Sequence, residues 1–172
     1  MGEKFDLTFF IDKKKARQKQ TKSQLLNILG LEEGRNLIAN HQCSLLADKE
    51  VFFYEYDYEE VDYILYMVCF DELIFKEAYL KVTINQFLDL IEPCFSQLSE
   101  IFFATGIYEL TYEYIKEVNH IEDFNTEVFS KYPILFFRKG QEYDFKPFCS
   151  RNDVSCVVNT DRGRIQDIFA II

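Results

Sequence analysis

The sequence predicts a single α+β domain, built on a mostly antiparallel sheet with helices packed on one face. Its 172 residues suit one globular domain with a sizeable core, expected to span residues 1–172. Aromatic residues make up 17% of the chain while Pro and Gly are scarce, a composition that disordered chains lack. Along the chain, the apolar pattern changes from strand-like alternation to helical spacing and back again.

Strand patterns dominate the first half of the chain. Alternation predicts most of these strands, and the nearly continuous apolar run Val61–Phe70 predicts a central strand that is buried on both faces. A basic run at 13–22 is expected as an exposed loop or the start of a helix. The elements predicted here are a strand at Phe5–Ile11, a short helix capped by Thr21 or Ser23 and ended by Gly30, a short helix at Arg35–Asn40, and strands at Ser44–Ala47, Val51–Tyr58, Val61–Phe70 and Ala78–Ile84.

Helical spacing begins near Thr83 and alternates with strands in the second half. Apolar residues from Ile84 to Leu98 recur at helical intervals, and Pro93 is expected to kink or divide that helix. The remaining predicted elements are a half-buried strand at Ile107–Lys116, a short helix at Ile121–Phe129, a strand at Ile134–Arg138, a polar loop at Gly140–Asn152, a strand at Val154–Asn159 and a helical tail at Ile165–Ile171.

The chain is acidic, with a net charge of −10. Nucleic-acid-binding proteins are mostly basic because they neutralise phosphates, so direct nucleic-acid binding is not expected. An acidic surface can instead attract a basic protein, and the alternative is that the charge only keeps the protein soluble. No stretch approaches the length of a membrane span and the first residues do not read as a signal peptide, so no membrane association is predicted.

The densest acidic region is residues 50–75, which contain no Lys or Arg and interleave carboxylates with aromatic rings. Within it, Tyr54–Glu59 alternates so that a strand would carry tyrosines on one face and acids on the other. An ordinary strand with tyrosines on the core and acids in water fits this pattern. A binding strand fits it too, and predicts an accessible acidic patch that the chain's own cations do not neutralise. The predicted partner-binding residues are Tyr54, Glu55, Tyr56, Asp57, Tyr58, Glu59, Glu60 and Asp62.

The sequence contains no recognisable catalytic or cofactor motif. His41 and His120 lie near no nucleophile motif, and both are expected in structural or exposed positions. The glycines form no phosphate-binding loop and the acids lack EF-hand spacing, so no cofactor or metal is predicted. A loop with Arg162 and Arg164 can bind an anion, with Asp167 orienting one arginine; the alternative is a charged surface turn.

The five cysteines are widely spaced and form no CxxC pair. This spacing argues against a disulfide framework and against a zinc site. Cys69 and Cys94 lie in apolar surroundings and are expected as core thiols. Because free thiols persist in a reducing compartment, the predicted location is the cytoplasm.

In size, charge and element order, the chain resembles the immunity proteins that are paired with bacterial polymorphic toxins. Those are often small, acidic, cytosolic α+β domains without enzymatic motifs. The resemblance implies a non-enzymatic protein that neutralises a basic toxin or nuclease by occupying its phosphate-binding cleft. In that role, carboxylates would meet the partner's Lys and Arg, and tyrosines would supply buried contact area. A phage-encoded inhibitor of a host nuclease would use the same physics.

Two other classes of function remain open. An enzyme with an unfamiliar site would use the loop with Arg162 and Arg164, in a pocket that joins an arginine to a carboxylate of shifted pKa. A homo-oligomeric structural protein, for instance a homodimer that pairs edge strands, would show a mass in solution that depends on concentration.

Overall fold

A single antiparallel sheet organises the residues that the computed structural model describes, which are 4–16, 18–71, 80–108 and 118–159. Its strands, in chain order, are β1 (Lys4–Asp12), β2 (Gly34–Ile38), β3 (Lys49–Asp57), β4 (Tyr63–Asp71), β5 (Ile101–Tyr108), β6 (Ile134–Arg138), β7 (Cys149–Ser150) and β8 (Val154–Val158). The helices are α1 (Gln18–Leu29), α2 (Leu80–Gln97), a 3₁₀ turn (Ile121–Asp123) and α3 (Thr126–Phe129). The strand order is β2-β3-β4-β1-β5-β6-β8-β7, and the predicted α+β class is confirmed.

Five predicted strands are confirmed, with ends that shift by at most two residues; they correspond to β1, β3, β4, β6 and β8. β4 pairs with β3 on one side and β1 on the other, and its residues from Tyr63 to Phe70 are all buried. The nearly continuous apolar sequence of this strand therefore indicated its central position correctly. α1 ends at Leu29, as Gly30 predicts, but it begins at Gln18, several residues before the predicted caps.

Three predicted elements are wrong. Residues predicted as a helix at Arg35–Asn40 form the edge strand β2, because pairing with β3 outweighs the weak local helical pattern. The predicted strand at Ser44–Ala47 is a turn that places Leu45 and Leu46 in the core. The strand predicted at Ala78–Ile84 is helical from Leu80 onward, because the apolar spacing of α2 extends back into it.

Several other boundaries differ from the predictions. The strand in the middle of the chain is Ile101–Tyr108, whereas the predicted Ile107–Lys116 lies mostly outside the described residues. The predicted helix at Ile121–Phe129 is divided by Asn125, whose side chain caps α3 by accepting a hydrogen bond from the Val128 N–H at 3.0 Å. β7 lies within the predicted loop at Gly140–Asn152. The predicted tail and the loop with Arg162 and Arg164 lie outside the described residues.

The first face of the sheet is covered by α1 and α2, which complete the larger core. On β1, this face carries the odd-numbered residues from Phe5 to Ile11, all fully buried. α2 packs Phe87, Ile91 and other apolar side chains against it and continues through Pro93 without being divided. Alternation along the strands places the intervening residues on the opposite side, which we call the second face.

The second face carries a separate aromatic core. Phe103 lies at its centre, with its ring stacked on Phe10 at 4.1 Å and edge-on to Phe129 at 4.8 Å. Segment 118–132 covers this part of the sheet and contributes Phe124 and Tyr132 to the cluster. The long helices thus lie on one face as predicted, while the other face is closed here by irregular chain and short helical turns.

The end of α1 depends on Gly30 and His41. Gly30 has a φ of +67°, and a Cβ at this position would lie 2.7 Å from the His41 Nε2. His41 Nε2 donates to the Leu29 carbonyl at 2.7 Å, while Nδ1 accepts from the Cys43 N–H at 2.9 Å. These two bonds define one imidazole tautomer and give His41 the structural role that its sequence position predicts.

Candidate functional site

Alternation along β3 separates the predicted tyrosines from the predicted acids, as the sequence indicates. Tyr54 and Tyr56 lie on the second face, whereas Glu55 and Asp57 lie on the first face beyond the buried Phe53. Of the two alternatives for this strand, the ordinary one with its tyrosines on the core fits only in part. Tyr56 is only partly buried and Tyr54 is exposed, because the aromatic core of the second face does not extend over the outer half of β3.

Three aromatic side chains on the second face of β3 and the residue directly after it form a continuous ladder, which we define as Phe52, Tyr54, Tyr56 and Tyr58. Successive ring centroids are 6.1, 6.5 and 6.4 Å apart. Tyr54 is 38% exposed and Tyr58 is 40% exposed. The ladder is therefore a row of rings in contact with one another, and it presents apolar area to solvent.

Glu55 and Asp57 are neutralised by lysines of the same chain. Lys22 on α1 lies 3.0 Å from a Glu55 carboxylate oxygen, and Lys13 lies 2.8 Å from Asp57. Lys13 also donates to the Tyr58 carbonyl at 2.6 Å, so it ties the end of β3 to the end of β1. For these two acids, the prediction of a patch free of internal cations is wrong, because β1 and α1 bring the basic run 13–22 against β3.

Asp62 is also paired, in this case with His120. Its Oδ1 lies 2.9 Å from the His120 Nδ1, and its Oδ2 accepts a 3.4 Å hydrogen bond from the Ile121 N–H. The Asp62 N–H donates to the Asn119 carbonyl at 3.0 Å. Asp62 therefore joins the turn after β3 to segment 118–121, and its role in the described structure is to hold these two segments together.

We expect the Asp62–His120 pair to stabilise the fold only in a limited pH range. Hydrogen bonding to Asp62 raises the pKa of His120 above 6.5, and the same bond to His120 lowers the pKa of Asp62 below 3.8. The aspartate contribution is lost as the pH falls below 3.8, and the histidine contribution is lost as it rises above 6.5. The free energy of unfolding, measured in urea, should therefore differ most between the wild type and His120→Gln near pH 5 and least near pH 8.5. A difference that does not change between these pH values would contradict this expectation.

Glu59 and Glu60 alone among the predicted acids remain free of ion pairs to any side chain that the structure describes. Both are exposed in the turn after β3, and they follow the exposed Tyr58 directly in the chain. Of the eight predicted residues, Tyr54, Tyr58, Glu59 and Glu60 are therefore exposed without a described ion pair, and the partly buried Tyr56 lies between the two exposed rings. Glu55, Asp57 and Asp62 are instead engaged within the molecule.

Sequence reasoning missed the edge strand next to the ladder. Leu37 on β2 is 72% exposed and pairs in register with Glu50, which places it on the second face beside Phe52. Arg35 lies on the same face and forms an ion pair with Glu50 at 2.5 Å. The sequence signal for this strand is the alternation of Arg35 and Leu37 with Asn36, which is buried. The signal is weak because the strand has only five residues.

The other candidates for chemistry have structural or exposed positions. The cysteines are free thiols, and burial raises the pKa of Cys94 to about 12, so it is a protonated core thiol as predicted. Cys69 is buried as well. Among the described residues, no cluster of His, Cys, Asp and Glu is arranged to hold a metal ion. His120 is exposed, and among the described side chains it pairs with Asp62.

Comparison with known proteins gives no relative for this arrangement. No protein-family model, curated protein or solved structure matches the chain. In the part of the chain that the structure describes, no helix combines the length and the apolar character needed to cross a lipid bilayer.

Proposed function

We propose that this protein binds a basic protein partner through the aromatic ladder and the adjoining Glu59 and Glu60. The observation that carries the proposal is a row of exposed tyrosine rings that is followed directly in the chain by two exposed carboxylates without an ion pair among the described residues. Leu37 extends the same face with a further apolar side chain. A surface of this kind has the aromatic centre and charged rim of a protein interface.

Tyrosines suit the role of anchors because they supply large contact area at low cost in side-chain entropy. The ring contacts along the ladder reduce that cost further, since each ring already rests on its neighbour. Glu59 and Glu60 supply negative charge at the end of the ladder, and the net charge of −10 attracts a basic partner over a longer range.

Occlusion is the mechanism that this surface supports best. A basic cleft that holds phosphates in a nuclease or toxin would accept Glu59 and Glu60 in their place, while Tyr54 and Tyr58 cover its rim. This is the action of an immunity protein or another inhibitor, the class that the chain resembles in size and charge. Glu55 and Asp57 contribute less than the sequence predicts, because Lys22 and Lys13 already neutralise them.

The proposal predicts that truncation of the ladder abolishes most of the binding. The immobilised protein would be used to retain its partner from the source organism's lysate, and the partner would then be purified and its affinity measured by calorimetry. Two anchor residues at about 2 kcal/mol each correspond to a loss of roughly a thousandfold for Tyr54→Ala combined with Tyr58→Ala. The double variant Glu59→Lys with Glu60→Lys should slow association and reduce its dependence on salt.

The matched control reverses the same number of charges elsewhere. Glu32 and Glu127 are exposed and lie outside the ladder, so Glu32→Lys with Glu127→Lys changes the net charge equally. If this control weakens binding as much as the changes at Glu59 and Glu60, only the overall charge matters and the proposed surface is wrong. An acidic partner, or a partner whose affinity survives loss of both tyrosines, would also refute the proposal.

The exposed edge of β2 favours a second candidate, a homodimer. β2 is the terminal strand of the sheet, and its Leu37 is 72% exposed. Pairing of two β2 edges would cover unpaired backbone groups. Sedimentation equilibrium tests this candidate, which requires a dimer at micromolar concentration that Leu37→Lys dissociates. The enzyme alternative stays a prediction, because the loop with Arg162 and Arg164 lies outside the described residues.

A further inference from the structure

A polar cavity of about 420 Å³ opens on the first face of the sheet, on the opposite side from the aromatic ladder. Glu55 and Asp57 of β3 line it beside Tyr66 and Ile64 of β4, their direct partners in the register. Glu33, from the loop after α1, lies on another side, and Lys22 enters from α1. The volume falls in the range of small-molecule sites, which is roughly 300–1,000 Å³.

The charge inside the cavity is unbalanced. Three carboxylates line it, and among the described side chains they meet Lys22 in the cavity and Lys13 at Asp57. Three negative charges against two positive charges leave one negative charge in excess. One organic monocation would complete the neutralisation.

The ammonium group of Lys22 marks the position in the cavity at which a cation is bound. Its Nζ lies 2.6 Å from a Glu33 oxygen and 3.0 Å from a Glu55 oxygen. Burial lowers the pKa of Lys22, but hydrogen bonds and charge from Glu33 and Glu55 outweigh that effect and raise it overall. The pair of carboxylates therefore already selects a protonated amine from within the chain.

The Tyr66 hydroxyl is a second and independent sign of a ligand. The side chain is only 1% exposed, yet its hydroxyl has no hydrogen-bond partner among the described residues and it lines the cavity. Tyr66 lines the cavity together with Glu33, Glu55 and Asp57; burial raises the pKa of its phenol, and the negative charges of these carboxylates raise it further. The hydroxyl oxygen can accept a hydrogen bond from an N–H donor that enters the cavity.

We propose that this cavity binds an organic monocation with an alkylammonium or alkylguanidinium head. The head donates hydrogen bonds to Glu33 or Glu55 and to the Tyr66 hydroxyl, and its alkyl chain lies against Ile64. Either a free small amine or a Lys or Arg side chain of another protein has this chemistry. The proposal is independent of the proposed function, because the cavity and the ladder lie on opposite faces of the sheet.

Calorimetric titration at low salt tests the proposal, with N-butylguanidinium and n-butylammonium as probes. N-butylurea is the matched control, since it has nearly the same shape without the charge. We expect at least one cation to bind with a Kd of about 1 mM or tighter, and about tenfold more tightly than the urea. Equal binding of the urea, or no binding of either cation, would overturn the proposal.

Variants locate the binding in this cavity. Tyr66→Phe keeps the ring and should weaken cation binding by about tenfold, because a buried hydrogen bond to a charged group is lost. Lys22→Met removes the internal competitor and should tighten binding by about tenfold, a gain that general damage to the fold would not produce. Glu50→Gln changes a glutamate on the same strand outside the cavity and should leave the affinity unchanged. Weaker binding in Lys22→Met would refute the proposed site, and this outcome remains decisive should Tyr66→Phe fail to fold.

A peptide distinguishes the two sources of the cation. Acetyl-Gly-Arg-Gly-amide carries the guanidinium on a backbone, and its binding to the wild type would be measured beside N-butylguanidinium. If the peptide binds as tightly as N-butylguanidinium, and Tyr66→Phe weakens both by the same factor, the cavity is assigned to a protein side chain. Binding of the free cations without the peptide assigns it to a small amine.

Discussion

Replacement of Phe103 by alanine should destabilise the fold by about 4 kcal/mol, as expected for a large aromatic side chain deleted from a core. Phe103 is fully buried and lies within 5 Å, centroid to centroid, of the rings of Phe10, Phe129 and Phe124. Truncation removes apolar burial and these ring contacts together. It also leaves a cavity that the surrounding strands can close only in part.

Urea unfolding monitored by circular dichroism measures this effect, and Phe148→Ala is the control. Phe148 is 43% exposed, so the same chemical change there should cost less than about 1 kcal/mol. If Phe103→Ala lowers the free energy of unfolding no more than the control does, the second face does not contain a compact aromatic core.

Replacement of Arg138 by methionine should cost about 3 kcal/mol, because it removes charged donors from several backbone acceptors at once. The Arg138 guanidinium donates to the carbonyls of Phe95, Leu98 and Ile101 at 2.6, 3.2 and 3.0 Å. It also lies 5.4 Å above the Phe95 ring. These contacts join β6 to the end of α2 and to the start of β5, where helix carbonyls lack partners within the helix.

Methionine retains most of the apolar stem of Arg138, so the comparison isolates the hydrogen bonds and the charge. Arg35→Met is the control, since Arg35 forms one exposed ion pair, with Glu50, and its loss should cost less than about 1 kcal/mol. Equal stability of the two variants would show that the guanidinium at Arg138 does not hold α2 against the sheet.

The structure changes the functional interpretation of the acidic segment. Sequence alternation correctly separated tyrosines from acids, but it could not show that Lys22 and Lys13 would neutralise Glu55 and Asp57. These pairs span more than thirty positions in the sequence and form only because β4 and β1 bring α1 and the end of β1 close to β3. The proposed interface therefore moves to the opposite face, where Tyr54 and Tyr58 are exposed.

The edge strand β2 and the polar cavity illustrate the same limit. Local pattern predicted a helix around Arg35, since five residues carry too little periodicity to compete with pairing to β3. The cavity joins residues from α1, the following loop, β3 and β4, so no single stretch of sequence contains its signal. Leu37 and Tyr66 were for these reasons absent from the predicted site.

The amino-acid sequence alone determined the α+β class, most strands, the helical spacing of α2 and the two-sided character of β3. These properties follow from the period of apolar residues, which is a local quantity. Tertiary structure decided which carboxylates meet a lysine, which tyrosines reach solvent and which groups enclose the cavity. Those outcomes involve residues that are far apart in the chain but close together in space. Local sequence does not determine them, because electrostatic and packing energies depend on separation in space.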